Sequence, residues 1–262
     1  MSAGEAPGSM NVGPVEWDAE SYERVSEPQY EWGLEVLDRL ELAGDEYVMD
    51  AGCGSGRVTE KLLERLPRGR VIAVDASESM IEKAREKLGD RVEYLAADLA
   101  ELELPEPVDV VFSTATFHWI SDHDRLFARL HDALVPGGRL HAQCGGVGNV
   151  REHAEAIVRV AQRPEFAQSF ADMEVLWNFA TPEGTERRLH SAGFTGINAW
   201  LQSKPVRPEN PREFMRVVTL GLHLARLPDG LQDPFIDAVA AEMSEPVILN
   251  YVRLNIDARR PE

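Results

Sequence analysis

Short apolar runs recur along the chain with amphipathic stretches between them. Runs at residues 47–49, 70–75, 91–99, 108–113 and 140–144 have strand length and β-branched or aromatic content. Between them, residues 58–66, 76–85 and 124–134 carry apolar positions at helical spacing, as in Met80, Ile81 and Ala84, or Leu126, Leu130 and Leu134. Residues 30–40 precede the first strand and place Leu34, Leu37 and Leu40 on one helix face. Further on, residues 150–162 and 181–190 read as helices, the second opening on Thr181 with Pro182 in its first turn. Strands follow at 197–201 and 247–258, with a helical stretch at 210–243 broken near Pro228 and Gly230. Strand alternating with helix predicts an α/β, doubly wound, mostly parallel seven-stranded sheet. Residues 1–14, rich in Gly, Pro, Ser and Ala, read as a disordered tail, 15–148 as the main α/β core with a closing N-terminal helix, and 149–262 as the rest of the sheet. Segments 149–180 and 205–245 within that last part read as helical lid insertions.

Composition narrows the partners. The 262 residues hold 27 Lys and Arg against 45 Asp and Glu, a formal net charge of −18. A broad nucleic-acid footprint needs clustered cations, so none is expected. Neither Cys53 nor Cys144 has zinc-ligand spacing, so no metal site is expected. No apolar run reaches the length of a membrane span, and no secretory leader is visible, which points to a cytoplasmic protein that does not engage membranes.

The first strand runs into Asp50-Ala51-Gly52-Cys53-Gly54-Ser55-Gly56 and then a helix. Strand, glycine turn and helix together form the usual nucleotide cradle of an α/β domain. Asp50 sits directly under the turn, where an anion would repel a pyrophosphate and suit an ammonium group. The next strand ends in Asp75, the position that accepts hydrogen bonds from ribose hydroxyls in such units. Ser77 is placed to cap the following helix.

On these residues the chain resembles the class I S-adenosylmethionine (SAM) methyltransferases, a Rossmann-like family. Its first motif looks like residues 50–56, its Asp-x-Ser-x-x-Met pattern like Asp75 to Met80, and its Leu-x-Pro-Gly-Gly turn like residues 134–138. The resemblance is strongest to the trans-aconitate methyltransferase branch, through Trp17-Asp18-x-x-x-Tyr22, the glycine loop and Trp119-Ile120-x-Asp122-His123, and it thins beyond Gly145. It implies SAM as cofactor, S-adenosylhomocysteine (SAH) as product, and a cofactor-binding set of Asp50, Ala51, Gly52, Cys53, Gly54, Gly56, Asp75, Ala76, Met80, Ala97, Asp98, Leu99, Ser113 and Tyr22. Within that set it places Asp98 on the adenine amine and Met80 against the ring. Asp98 also reads as a turn-capping aspartate, and Met80 as core. Thr114 stands where the related pattern has Asn.

Methyl transfer asks mainly for orientation and a dry site, with a base only when the acceptor carries a proton. His118 is the candidate for acid/base work or for lining the acceptor pocket. His123 and His131 read as surface helix residues. Arg212, Arg216 and Arg253, with Tyr251, are candidates for gripping an anionic acceptor. The expected activity is methylation of a small molecule at a carboxylate or hydroxyl oxygen. The alternatives are C- or N-methylation of an apolar natural product, suggested by Phe166, Phe170, Trp177 and Phe179, or SAM binding without catalysis.

Overall fold

The computed structural model describes residues 27–173 and 177–262. Helix α1 (Glu27–Asp38) precedes strand β1 (Tyr47–Ala51). The pattern predicted for the next stretch then follows: α2 (Arg57–Glu64), β2 (Arg70–Asp75), α3 (Glu78–Leu88), β3 (Glu93–Ala96), β4 (Val108–Thr114), α4 (His123–Ala133) and β5 (Leu134–Gly145). The remainder holds α5 (Arg151–Ala161), α6 (Pro182–Ser191), β6 (Thr195–Val206), α7 (Pro211–Phe214), α8 (Gly221–Leu224), α9 (Asp229–Ala241) and β7 (Leu249–Arg259). The seven strands form one sheet in the order β3-β2-β1-β4-β5-β7-β6. Strands β1 to β5 run parallel, and β7 inserts antiparallel between β5 and β6.

Adjacent residues of the parallel strands enter different cores, because side chains alternate across a sheet. Met49, Ile72, Val74 and Val111 pack on one face with Leu126, Phe127 and Leu130 of α4. Val48, Val71, Ala73 and Val110 pack on the other with Val36 and Leu37 of α1 and Leu62 and Leu63 of α2. Both faces are covered, so the strands read as continuous apolar runs rather than alternating ones. A third core gathers Val150, Ile157, Phe166, Met215, Leu224, Phe235, Val239 and Tyr251, with Trp32 of α1.

Ser77 caps α3 by accepting from the Met80 amide at 3.3 Å, and Thr181 caps α6 by accepting from Gly184 at 3.0 Å. Strand β5 starts earlier than the sequence suggests. Leu134 already pairs with Val108, and the Pro136-Gly137-Gly138 turn sits inside the strand as an irregularity before pairing resumes at Val110 with Arg139. The helical stretch predicted at 210–243 is broken more often than at Pro228, with a π-helical turn at Met215–Thr219.

Candidate functional site

The strand order reverses between β1 and β4, and the loops leaving the carboxyl ends of parallel strands there form the crevice in which α/β sheets bind ligands. The glycine loop is tied down from below. Gly52 and Cys53 both donate to the Val74 carbonyl, at 2.7 and 3.0 Å. The buried Ser113 hydroxyl donates to the Ala51 carbonyl at 2.6 Å, so Ser113 supports the loop from β4.

The glycines do different jobs. A Cβ on Gly52 would lie 2.1 Å from Thr116 Oγ1, and one on Gly56 2.8 Å from Leu88, so these two allow the protein to pack on itself. Gly54 has φ +54 and a Cβ there would meet nothing within 4 Å. Open space above a left-handed backbone residue is what a loop cradling a ligand presents.

Asp75 joins the first two loops. Its Oδ2 accepts from the Gly54 amide and its Oδ1 from the Ser77 amide, both at 2.9 Å. A carboxylate offers about four lone-pair sites, so both oxygens keep capacity for ribose hydroxyls. Burial raises the Asp75 carboxyl above the ordinary aspartate range, against the pull of these amides. Asp50 is 2% exposed, and burial pushes its carboxyl up to about 7, opposed by the Thr59 hydroxyl that donates to it at 2.7 Å. A cation brought to this edge would favour both ionised forms.

Beyond β3, the Ala97 amide donates to the Asp75 carbonyl at 3.0 Å. Asp98 is exposed and accepts from the Ala100 amide at 2.9 Å, capping a short 3-10 turn into which Leu99 follows with a buried side chain. Ala76 is exposed beside Asp75, and Met80 is buried at the first turn of α3. Tyr22 and Trp17 lie outside the described residues. Burial holds the Cys53 thiol well above its usual range and pushes Cys144 up to about 12, so neither is a thiolate nucleophile at neutral pH. Among the described residues, no group of His, Cys, Asp and Glu is arranged to hold a metal ion, and no helix is long and apolar enough to cross a membrane.

The exit of β4 turns sharply, with Ala115 at φ +56, a conformation uncommon outside glycine. The turn presents His118, which is buried with its Nδ1 accepting from the Gly145 amide at 3.3 Å. The ring lies 5.0 Å from Trp119 and 5.9 Å from Phe179. Segment 177–180 straps over this turn: Asn178 donates from its amide to the His118 carbonyl at 2.8 Å and from its side chain to Ser121 at 3.0 Å. Burial holds His118 well below the ordinary imidazole range, reinforced by Arg253.

Arg253 is a buried charged group at this end. It pairs with Gly145 across β5 and β7, is 2% exposed, and lies 5.0 Å from the Trp32 ring centroid. Its Nε donates to Gln143 at 3.4 Å, Gln143 donates to Asn255 at 3.0 Å, and Arg39 donates to the same Asn255 oxygen at 2.9 Å. Tyr251 lies alongside, its ring 5.1 Å from Trp32. Gln143 and Asn255 were missed in the sequence, where each is one of several polar residues on its strand and nothing marks it as buried. Arg212 and Arg216 are elsewhere: Arg212 binds Asp237 at 2.5 Å and Asp233 at 3.1 Å, and Arg216 pairs with Asp233 on the exposed face of the helical part. His123 corrects the surface reading. It is 3% exposed and bonds the Phe117 carbonyl at 2.9 Å, because α4 packs its first turn under the β4 exit.

A methyltransferase-domain family model matches residues 48–138. Trans-aconitate 2-methyltransferase of Methylobacterium nodulans is 32% identical over 188 residues, covering 71% of this chain and 67% of that protein. The chain belongs to the class I SAM-dependent methyltransferases, in their trans-aconitate 2-methyltransferase branch. The homologous enzyme of Variovorax paradoxus is 28% identical over 227 residues, covering 85% of this methyltransferase and 86% of its own length. That of Acidovorax ebreus is 36% identical, but the match spans only 49% of each chain. The fold matches phosphoethanolamine N-methyltransferase 2 of Haemonchus contortus in complex with SAM, at TM-score 0.62, 21% identity, and 93% of this chain against 56% of that one. It also matches the YcgJ protein of Bacillus subtilis, at TM-score 0.60 and 17% identity, over 88% and 97%. SAM is the cofactor of this methyltransferase family, and the open space over Gly54 with the acid-lined, phosphate-averse loop fits it.

Proposed function

We propose that this methyltransferase esterifies a carboxylate of a small organic acid, with trans-aconitate, for which its relatives are named, as the first candidate. The observation that carries the reading is Arg253, a buried guanidinium at the carboxyl edge of the sheet, one strand pair from the β4 exit. A guanidinium is a preferred partner for carboxylate, and burial strengthens the pairing. SAM supplies a methyl group already activated by its sulfonium charge. Asp75 and the open space over Gly54 receive the cofactor's nucleoside, and Asp50 and Asp75 favour its cationic end. Asp98 and Met80 border the adenine side. His118, Trp119, Trp177 and Phe179 wall the acceptor side and exclude water. A carboxylate acceptor brings its own lone pair and negative charge, so no residue has to remove a proton.

Segments 149–180 and 205–245 form the lid of this site in the same reading. Their aromatic contacts, Trp177 stacked on Phe179 at 5.5 Å and His223 on Phe235 at 6.3 Å, also favour a second reading in which the acceptor is apolar. Incubating the protein with SAM and paired acceptors separates the two. SAH should form with trans-aconitate and related di- and tricarboxylates, and not with the matching amides. Turnover of amides or apolar alcohols with none of acids would refute the carboxylate reading.

A further inference from the structure

His118 has one fixed role available to it. A backbone amide can only donate, so the Gly145 N–H at 3.3 Å makes Nδ1 an acceptor and assigns the single proton of the neutral ring to Nε2. Nε2 has no hydrogen-bond partner among the described residues. The ring packs against Trp119 and Phe179, and the Asn178 amide fixes its backbone carbonyl, which restrains the ring from turning over. The charged and titratable groups around it are Arg253 from β7, His123 from α4 and the Cys144 thiol from β5. Among the described residues no carboxylate is placed to stabilise an imidazolium, and the guanidinium opposes one. Gly145 binds His118 through its amide and pairs with Arg253 across the sheet, so the two side chains are held to one backbone position. Gln143, itself oriented by Asn255, steadies the guanidinium at Nε.

We propose that His118 is a fixed Nε2–H hydrogen-bond donor that, together with Arg253, grips the acceptor carboxylate and takes no proton during methyl transfer. The inference rests on the carboxylate reading above. The chemistry balances without a base: the new O–C bond forms from a carboxylate lone pair, the C–S bond breaks with its electrons left on sulfur, and the products are an ester and a thioether. His118 is then a catalytic residue through contact with the acceptor, and Gln143 and Asn255 are positioning residues for Arg253.

Two measurements test this. Nitrogen-15 NMR of the histidine-labelled protein, assigned with His118→Gln, reads the tautomer without any acceptor or turnover. A neutral Nε2–H ring throughout the neutral pH range is expected, and an Nδ1–H ring, or titration near the ordinary histidine value, would overturn the proposal. Kinetics with SAM and trans-aconitate then compare His118→Gln with His118→Ala. Glutamine keeps a donor N–H but cannot act as a base, so His118→Gln should retain kcat within about tenfold. His118→Ala should raise KM by roughly ten- to a hundredfold and weaken trans-aconitate binding to the SAH-loaded protein in calorimetry. Equal losses of about a hundredfold or more in kcat for both variants, at unchanged KM, would mark His118 as a base and overturn the proposal. A wild-type protein that methylates no acid would instead remove the carboxylate reading beneath it, whatever the NMR tautomer.

Discussion

The two ends of the crevice treat buried ionisable groups in opposite ways. At the β1–β2 end, burial raises carboxyls, lifting Asp50 to about 7 and Asp75 in the same direction. At the β5–β7 end and in the helical part beyond it, burial lowers imidazoles, with His118 well down, His153 at about 3 and His223 at about 4. The same desolvation penalty acts on groups of opposite charge type. The first end gains from a cation, and in the carboxylate reading proposed above the second offers Arg253 to an anion. Such a division suits a cationic methyl donor and an anionic acceptor meeting between them.

The strongest way to break the first half of this contrast is to fill the space above Gly54. Gly54→Val should abolish SAM binding in calorimetry, because it fills the open space and places a β-branched residue at φ +54, a strain confined to the loop if the circular dichroism of the folded chain is kept. Normal SAM binding by that variant would remove the loop from the ligand site.

Next comes the pH dependence, where the two ends should show opposite signs. Asp50 binds its proton more tightly when folded, so between about pH 4 and 7 the native state holds more protons than the unfolded one. Its contribution is present below the unfolded value and is lost as pH rises toward 7. The depressed His153 and His223 behave conversely: their contribution is present above pH 6.5 and is lost as pH falls toward 4 and 3. Each effect is on the order of a few kcal/mol. Chemical denaturation of the SAM-free protein should show Asp50→Asn flattening the first slope and His223→Phe the second. Unaltered slopes in both variants would dissolve the contrast.

A smaller effect sharpens the ribose assignment. Asp75→Ala should weaken SAM binding by about 1.5–3 kcal/mol, the range for hydrogen bonds to a charged group. Unchanged affinity in a folded variant would take Asp75 out of the site. The smallest effect is a control: Arg212→Ala should change the KM for trans-aconitate by less than about twofold, because Arg212 is committed to Asp233 and Asp237 on an exposed face. A larger change would move the acceptor to the wrong arginine.

These two ends were also unequally legible in the sequence. At the first, strand, glycine turn, acidic strand end and helix cap follow one another within about thirty residues, and Gly54, Asp75 and Ser77 meet through local chain geometry. The second is assembled across the chain. His118 reaches Gly145, Gly145 pairs with Arg253, and Arg253 reaches Gln143 only because β7 enters antiparallel beside β5. No spacing along the sequence encodes that register. His123 failed for a related reason, since the helical pattern shows an amphipathic α4 without showing that its first turn tucks beneath the β4 exit. Asp98 stood as cap or ligand, and the structure places one of its oxygens on the Ala100 amide.

Methyl transfer from isotopically labelled SAM into a small-molecule extract, followed by mild alkaline treatment of the product, tests the central claim most directly. Label released by alkali identifies a methyl ester and is the predicted result. Label that stays on the product through alkali would mean an ether, amine or carbon acceptor, and would contradict the account of an acid-holding site built on Arg253 and His118.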